Sequence, residues 1–198
     1  MEYLNQAVFL LLNAGPHAPA IVVDGARMIA EGVIWLVPLG LALGWLRGSV
    51  PIRQALLAAT LAGLTGLALN QIIGLFWYHS RPFELGIGRT LIPHAQDSSF
   101  PSDHLTLIWS IAFTLMLHRK TRLAGWIIAL AGVPVGWARI YLGVHFPADI
   151  VGALPVALAS TALARGVHKR ITEPLAERLQ PLYRMLFTSL IRRGWARY

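Results

Sequence analysis

Cysteine is absent from the 198 residues, so neither a disulfide nor a cysteine-ligated metal can hold this chain together. Charge is scarce as well: 13% of the residues are charged, against 56% that are hydrophobic. A soluble globular domain draws about a quarter of its residues from the charged set, so a water-facing surface cannot be made from so few. Acidic residues are the rarest, nine in all, and the net charge is +8. On a soluble protein that excess would point to nucleic acid. Here the basic residues stand between and after apolar runs, which is a membrane pattern, and no nucleic-acid partner is expected. The opening Met1-Glu2-Tyr3 has no basic n-region, and Asn5, Gln6 and Asn13 interrupt the first apolar stretch. Both features argue against a cleaved signal peptide. No internal repeat and no low-complexity segment breaks the chain, whose length suits one compact bundle.

What is present is apolar sequence in long runs, with a mean hydropathy of +0.57. A hydrocarbon core about 30 Å thick needs roughly 20 mainly apolar helical residues. Five stretches meet that need: 21–46, 53–77, 102–117, 123–141 and 147–163. The shorter run 3–13, closed by Asn13-Ala14-Gly15-Pro16, reads as a helix lying in the interface. The expected fold is all-α, a polytopic bundle with about five to six helices in the membrane. Residues 1–167 form the integral membrane domain and 168–198 a basic tail. In that tail Leu175, Leu179, Leu182 and Leu186 recur at helical spacing with Arg178 and Arg184 off the stripe. Such a helix rests on an anionic inner leaflet or meets a partner or a second copy.

Lysine and arginine orient the bundle. With the tail in the cytoplasm, thirteen of the seventeen basic residues fall on that side, leaving Arg27, Arg81, Arg89 and Arg139 toward the other. Residues 78–104 and the connection 142–146 then lie outside, and both carry groups capable of chemistry. Tyr78-His79-Ser80-Arg81-Pro82-Phe83 leaves the second span, and Pro101-Ser102-Asp103-His104 opens the third. Arg139 to Asp149 bridges the fourth and fifth. Ionisable residues at membrane depth are costly, so such a gathering is a functional hypothesis by default. Its composition suits phosphoryl transfer, whose transition state spreads charge over three oxygens and needs forked positive donors. Arg81 and Arg139 are such donors, and Ser102 adds a hydroxyl at a helix start. A neutral imidazole can attack phosphorus if a third group holds its other nitrogen. His145 and Asp149 are four apart and can do this, which leaves His104 as the general acid. No cluster of carboxylates and histidines has metal-ligand spacing, and no cofactor is expected.

Arg81-Pro82, then Pro101-Ser102-Asp103-His104, then Arg139-x5-His145-x3-Asp149 resemble the three signature motifs of the type 2 phosphatidic acid phosphatase superfamily. The likeness covers about residues 53–163. Within that superfamily the stretch His94-Ala95-Gln96-Asp97-Ser98-Ser99-Phe100, Asp103 and the ending Ile191-Arg192-Arg193-Gly194-Trp195 are similar to the bacterial undecaprenyl pyrophosphate phosphatases. The resemblance implies a bacterial plasma-membrane enzyme with its site on the periplasmic or extracellular face. It implies His145 as the nucleophile that becomes phosphohistidine, Asp149 as its orienter and His104 as proton donor to the leaving group. Arg81, Ser102 and Arg139 would bind phosphate without metal. The chain departs from the wider family at three positions: Gly74 replaces a lysine, Asp103 a glycine and Ala138 a serine. Asp103 adds negative charge beside the phosphate, for which pairing with an arginine is the expected remedy. Asp24, Arg27 and Glu31 form one stripe on the first span. It is either an ion network within the bundle, or a place where Arg27 stands in for the missing lysine. Thr106, Ser110 and Thr114 form another stripe, expected to serve helix packing.

The leading expectation is hydrolysis of undecaprenyl pyrophosphate to undecaprenyl phosphate, which recycles the carrier lipid of cell-wall synthesis. A second reading keeps the mechanism and changes the lipid to phosphatidylglycerol phosphate or lipid A, or the acceptor from water to a lipid. A third, a binder or transporter of lipid pyrophosphate without turnover, fits less well, because binding needs arginines and no nucleophile.

Overall fold

The computed structural model describes residues 2–197, in which every regular element is a helix. In chain order these are α1 (Glu2–Leu12), α2 (Ala20–Arg27), α3 (Val33–Arg47), α4 (Val50–Phe76), α5 (Asp103–Met116), α6 (Arg122–Tyr141), α7 (Pro147–Val167), α8 (Glu173–Leu186) and α9 (Thr188–Arg192). A π turn at Met28–Gly32 joins α2 to α3, and a second at His168–Thr172 joins α7 to α8. Four continuous helices are long and apolar enough to cross a membrane: Ala20–Arg47, Val50–Phe76, Arg122–Tyr141 and Pro147–Leu186. Prolines enter at the first turns of α4 and α7, where a missing N–H costs nothing. Pro38, Pro134 and Pro155 sit inside their helices.

The fifth expected span is the exception. α5 has 14 residues, about 21 Å of helix, which is short of the hydrocarbon thickness. It needs no lipid face because α4, α6 and α7 surround it. Leu105, Ile108, Ile111 and Leu115 of α5 form the core with Ala55 and Ala59 of α4, Val135 of α6 and Ala157 of α7. Small residues let the helices close: a Cβ at Gly66 would stand 2.8 Å from Ser110 Oγ. The polar stripe of α5 faces inward and packs by hydrogen bonds, Ser110 to Ser160 at 2.8 Å and Thr114 to Thr161 at 3.3 Å. α5 also begins below the end of its neighbour. Asn70 of α4 donates to Asp103 at 2.7 Å, and α4 runs on six residues to Phe76, about 9 Å further.

α1 lies across the ends of α6 and α7. Its Phe9 is fully buried against the Phe146 ring at 5.1 Å, and its Asn5 side chain accepts from the Ala148 N–H at 3.0 Å. At the opposite end the tail folds back on the bundle. The boundary at 167–168 falls inside the continuous helix Pro147–Leu186, marked by the π turn. Tyr183 is buried, whereas the leucine stripe looks outward, with Leu182 45% and Leu186 62% exposed.

Candidate active site

The turn between α6 and α7 carries the central imidazole, and three constraints fix it. Gly143 takes a φ of +84, and a Cβ there would collide with the Arg89 carbonyl oxygen, so glycine is required. The Val144 N–H donates to the Arg139 carbonyl at 3.1 Å, and the Leu91 N–H to the Leu142 carbonyl at 2.9 Å. Asp149, one turn into α7, accepts from the Phe146 N–H at 2.8 Å with Oδ2, and the same oxygen lies 3.2 Å from His145 Nδ1. A carboxylate accepts, so the network places the proton on Nδ1 and leaves the lone pair on Nε2.

Two donors stand at that lone pair. Ser102 Oγ is 3.3 Å from His145 Nε2 and Arg81 Nη1 is 3.5 Å away. All four side chains are buried. Burial, and then the Arg139 and Arg81 charges, hold the His145 imidazole well below the ordinary histidine range. The imidazole is therefore neutral at physiological pH. Ser102 precedes α5, and its N–H donates to the Asp149 carbonyl at 3.1 Å, which ties the second motif to the third. Arg81 is anchored by the Val144 carbonyl at 2.8 Å and by Asp97 at 2.9 Å.

Arg139 reaches the site from the last turn of α6. Its Nη1 is 3.4 Å from His104 Nε2 and its Nη2 is 2.8 Å from His94 Nε2. Its Nε is buried without a partner among the described residues, a donor open to a ligand oxygen. The six residues expected to act together, Arg81, Ser102, His104, Arg139, His145 and Asp149, are thus one cluster.

Two further candidates lie differently from expectation. Asp103 is held by amides rather than by an arginine, accepting from Asn70 at 2.7 Å and from Gln71 at 3.4 Å. The reason is position: as the first residue of α5 it faces α4, away from the guanidinium pair. Arg27 donates to the Leu91 carbonyl at 2.9 Å and pairs with Asp24 at 3.3 Å, both partners exposed. It ties the α2 stripe to the loop before the second motif instead of forming an internal network. The place of the absent lysine is filled by packing, since a Cβ on Gly74 would lie 3.1 Å from Ser98 Cβ.

Three functional neighbours escape sequence reasoning as individuals: His94 on Arg139, Asp97 on Arg81, and Asn70 on Asp103. Asn70-Gln71, an amide pair within an apolar run, is the signal that could have been used. His94 and Asp97 sit in an irregular loop that carries no periodicity. From one loop they occupy the two arginines of the cluster. Burial, followed by the Arg81 charge, lowers the His94 pKa.

Below this cluster a cavity of about 290 Å³ opens between α3, α4 and α5, lined by Trp35, Pro38, Leu64, Leu107 and Ile111 among others. His104, Leu107 and Ile111 are spaced three and four apart, so the groove runs down the face of α5 that carries His104.

A family model described as the PAP2 superfamily matches residues 53–173. Escherichia coli (strain K12) YbjG, provisionally named an undecaprenyl-diphosphatase, is 34% identical over 197 residues, spanning 100% of this chain and 99% of that protein. The undecaprenyl-diphosphatase BcrC of Bacillus subtilis (strain 168) is 34% identical over 78% of this chain and 79% of its own length. The crystal structure of Aquifex aeolicus LpxE superposes with a TM-score of 0.67 at 24% identity, covering 82% of this chain and 95% of that one.

Proposed function

The chain belongs to the PAP2 superfamily of membrane phosphatases, and on that premise we propose that it hydrolyses undecaprenyl pyrophosphate to undecaprenyl phosphate and inorganic phosphate. The observation that carries the chemistry is the environment of one nitrogen. His145 Nε2 has its lone pair free, Ser102 and Arg81 beside it, and its opposite nitrogen held by Asp149. Nε2 attacks the terminal phosphorus, a P–N bond forms, and the bridging P–O bond breaks to release the lipid monophosphate. Arg81, Arg139 and Ser102 hold the phosphoryl oxygens as charge builds on them. Water then attacks the phosphohistidine, His104 takes its proton, the P–N bond breaks and phosphate leaves. Asp149 keeps the imidazole oriented through both steps.

The lipid portion has support of its own. An apolar groove that begins one turn of α5 from His104, at Leu107, is suited to a long hydrocarbon chain. The substrate assignment rests on the two relatives named for it, which this chain matches along most of their length. The thirteen-to-four division of basic residues supports a site on the outer face and a tail in the cytoplasm.

Purified protein, assayed with undecaprenyl pyrophosphate, phosphatidylglycerol phosphate, a lipid A phosphate and phosphatidate, tests both parts. The pyrophosphate is expected to have the highest kcat/KM. Vanadate should inhibit, chelator should leave the rate largely intact, and His145→Ala should remove turnover while the protein stays folded. A preference for another lipid overturns the substrate. Loss of activity on chelation, or more than a few per cent remaining in the alanine variant, overturns the mechanism.

A further inference from the structure

At the end of the bundle opposite His145 lies a cavity of about 580 Å³ that the phosphatase chemistry does not use. His118, two residues past the end of α5, stands at one side, and Ala58 of α4 lies behind it. Arg165 of α7 and His168, Lys169 and Arg170 of the π turn also line it. The length of α5, about 21 Å, separates this cavity from His104. The His118 and His168 rings lie with centroids 5.2 Å apart, tilted by 59°. Arg165, Lys169 and Arg170 form no ion pair among the described residues, and the one carboxylate at hand, Glu173, lies 3.4 Å from His168 Nε2. The Nδ1 of His168 is buried with no hydrogen-bond partner among the described residues. Five nitrogen-bearing side chains thus converge on a recess with little negative charge to balance them. Arg165, Lys169 and Arg170 are exposed, so solvent screens part of their mutual repulsion, and an anion shared between them relieves the rest.

We infer that this cavity is a second anion site, which binds the phosphate of a phospholipid head group in the leaflet opposite the catalytic face. Basic pockets between helices are suited to such head groups. The forked Arg165 grips phosphate oxygens, and Lys169 and Arg170 add charge. Inorganic phosphate would offer the same oxyanion, and the experiment separates the two sources.

Native mass spectrometry of the full-length protein, released from micelles containing phosphatidylglycerol or the zwitterionic phosphatidylcholine, reads the number of retained lipids. The native chain should retain one phosphatidylglycerol. Arg165→Gln/Lys169→Gln should weaken that retention roughly thirtyfold, with phosphatase turnover in detergent unchanged. Arg192→Gln/Arg193→Gln, which removes equal charge elsewhere in the tail, should retain the lipid. If the first double variant fails to fold, the exposed Lys169→Gln takes its place. Displacement of the lipid by millimolar phosphate, with a site-dependent rise in Tm from phosphate alone, supports the site and assigns free phosphate as its occupant. Equal retention in all three proteins, equal loss in both double variants, or indifference to head-group charge overturns it.

Discussion

Arg139 touches two imidazoles at once, His104 at 3.4 Å and His94 at 2.8 Å. A guanidinium only donates, so both Nε2 atoms accept and neither carries a proton in this arrangement. Through Nε2, His104 can therefore protonate a leaving group or take a proton from water only after substrate draws Arg139 away. The leaving group decides which role matters. A lipid monophosphate leaving from a pyrophosphate has a second pKa of about 6 and departs with little help. An alkoxide leaving from a monophosphate is about as basic as hydroxide and needs a proton, a form of help typically worth about 10²–10⁴-fold. We predict that His104→Asn slows phosphohistidine formation at least ~10-fold more for a lipid monophosphate than for a pyrophosphate, read by single-turnover kinetics. Equal slowing would remove His104 as leaving-group acid and leave it water activation or positioning. His145, Asp149 and Arg139 were legible in the sequence because they share one eleven-residue segment whose spacing is set by a helix end. The pairing of His94 with Arg139 was not, because it spans 45 residues and depends on how an irregular loop closes.

Arg53 shows the same limit for a whole element. Positioned at the start of an apolar run, it reads as one more interfacial cation. In the fold it is fully buried beneath the tail. It donates to the Trp45 carbonyl at 3.0 Å, to Gln180 at 2.8 Å and to the Arg197 carbonyl at 2.8 Å, and lies 3.7 Å over the Tyr183 ring. The partners at 180 and 197 are 127 and 144 residues away, beyond any periodicity. The leucine stripe of α8, by contrast, was visible in the sequence and is indeed a separate face, since the bundle takes Ala176 and Tyr183 instead. Arg53→Ala should undock the tail at a cost of roughly 2–4 kcal/mol, because it removes several charge-assisted bonds and a cation–π interaction together. The expected signs are a lower Tm and faster tryptic cleavage after Lys169, Arg170 and Arg178. Cleavage at the native rate would show that the tail is held by other means.

For the molecule as a whole the two ends differ in kind, with the phosphoryl-transfer groups at one and most of the basic residues at the other. The cysteine-free chain makes this testable. Gln96→Cys should react with an impermeant maleimide in intact cells and Lys120→Cys only after lysis, and the reverse pattern would invert the proposed orientation. Four of the five expected spans were legible from apolar run lengths, but the exception of α5 was not, because composition cannot tell a helix wrapped by protein from one facing lipid. That shortness has an electrical consequence. A central helix of about 21 Å with longer neighbours sets the catalytic cluster in a recess below the end of α4, within the depth over which the membrane voltage falls. A phosphate at His145 lies inside that field. If it crosses a quarter of the drop, each negative charge is worth roughly 0.6 kcal/mol per 100 mV. With the site on the outer face and the cell interior negative, the voltage opposes substrate entry. In proteoliposomes under a potassium diffusion potential, KM should rise as the lumen opposite the site becomes more negative; a KM that ignores the potential would mean that the catalytic recess lies outside the field.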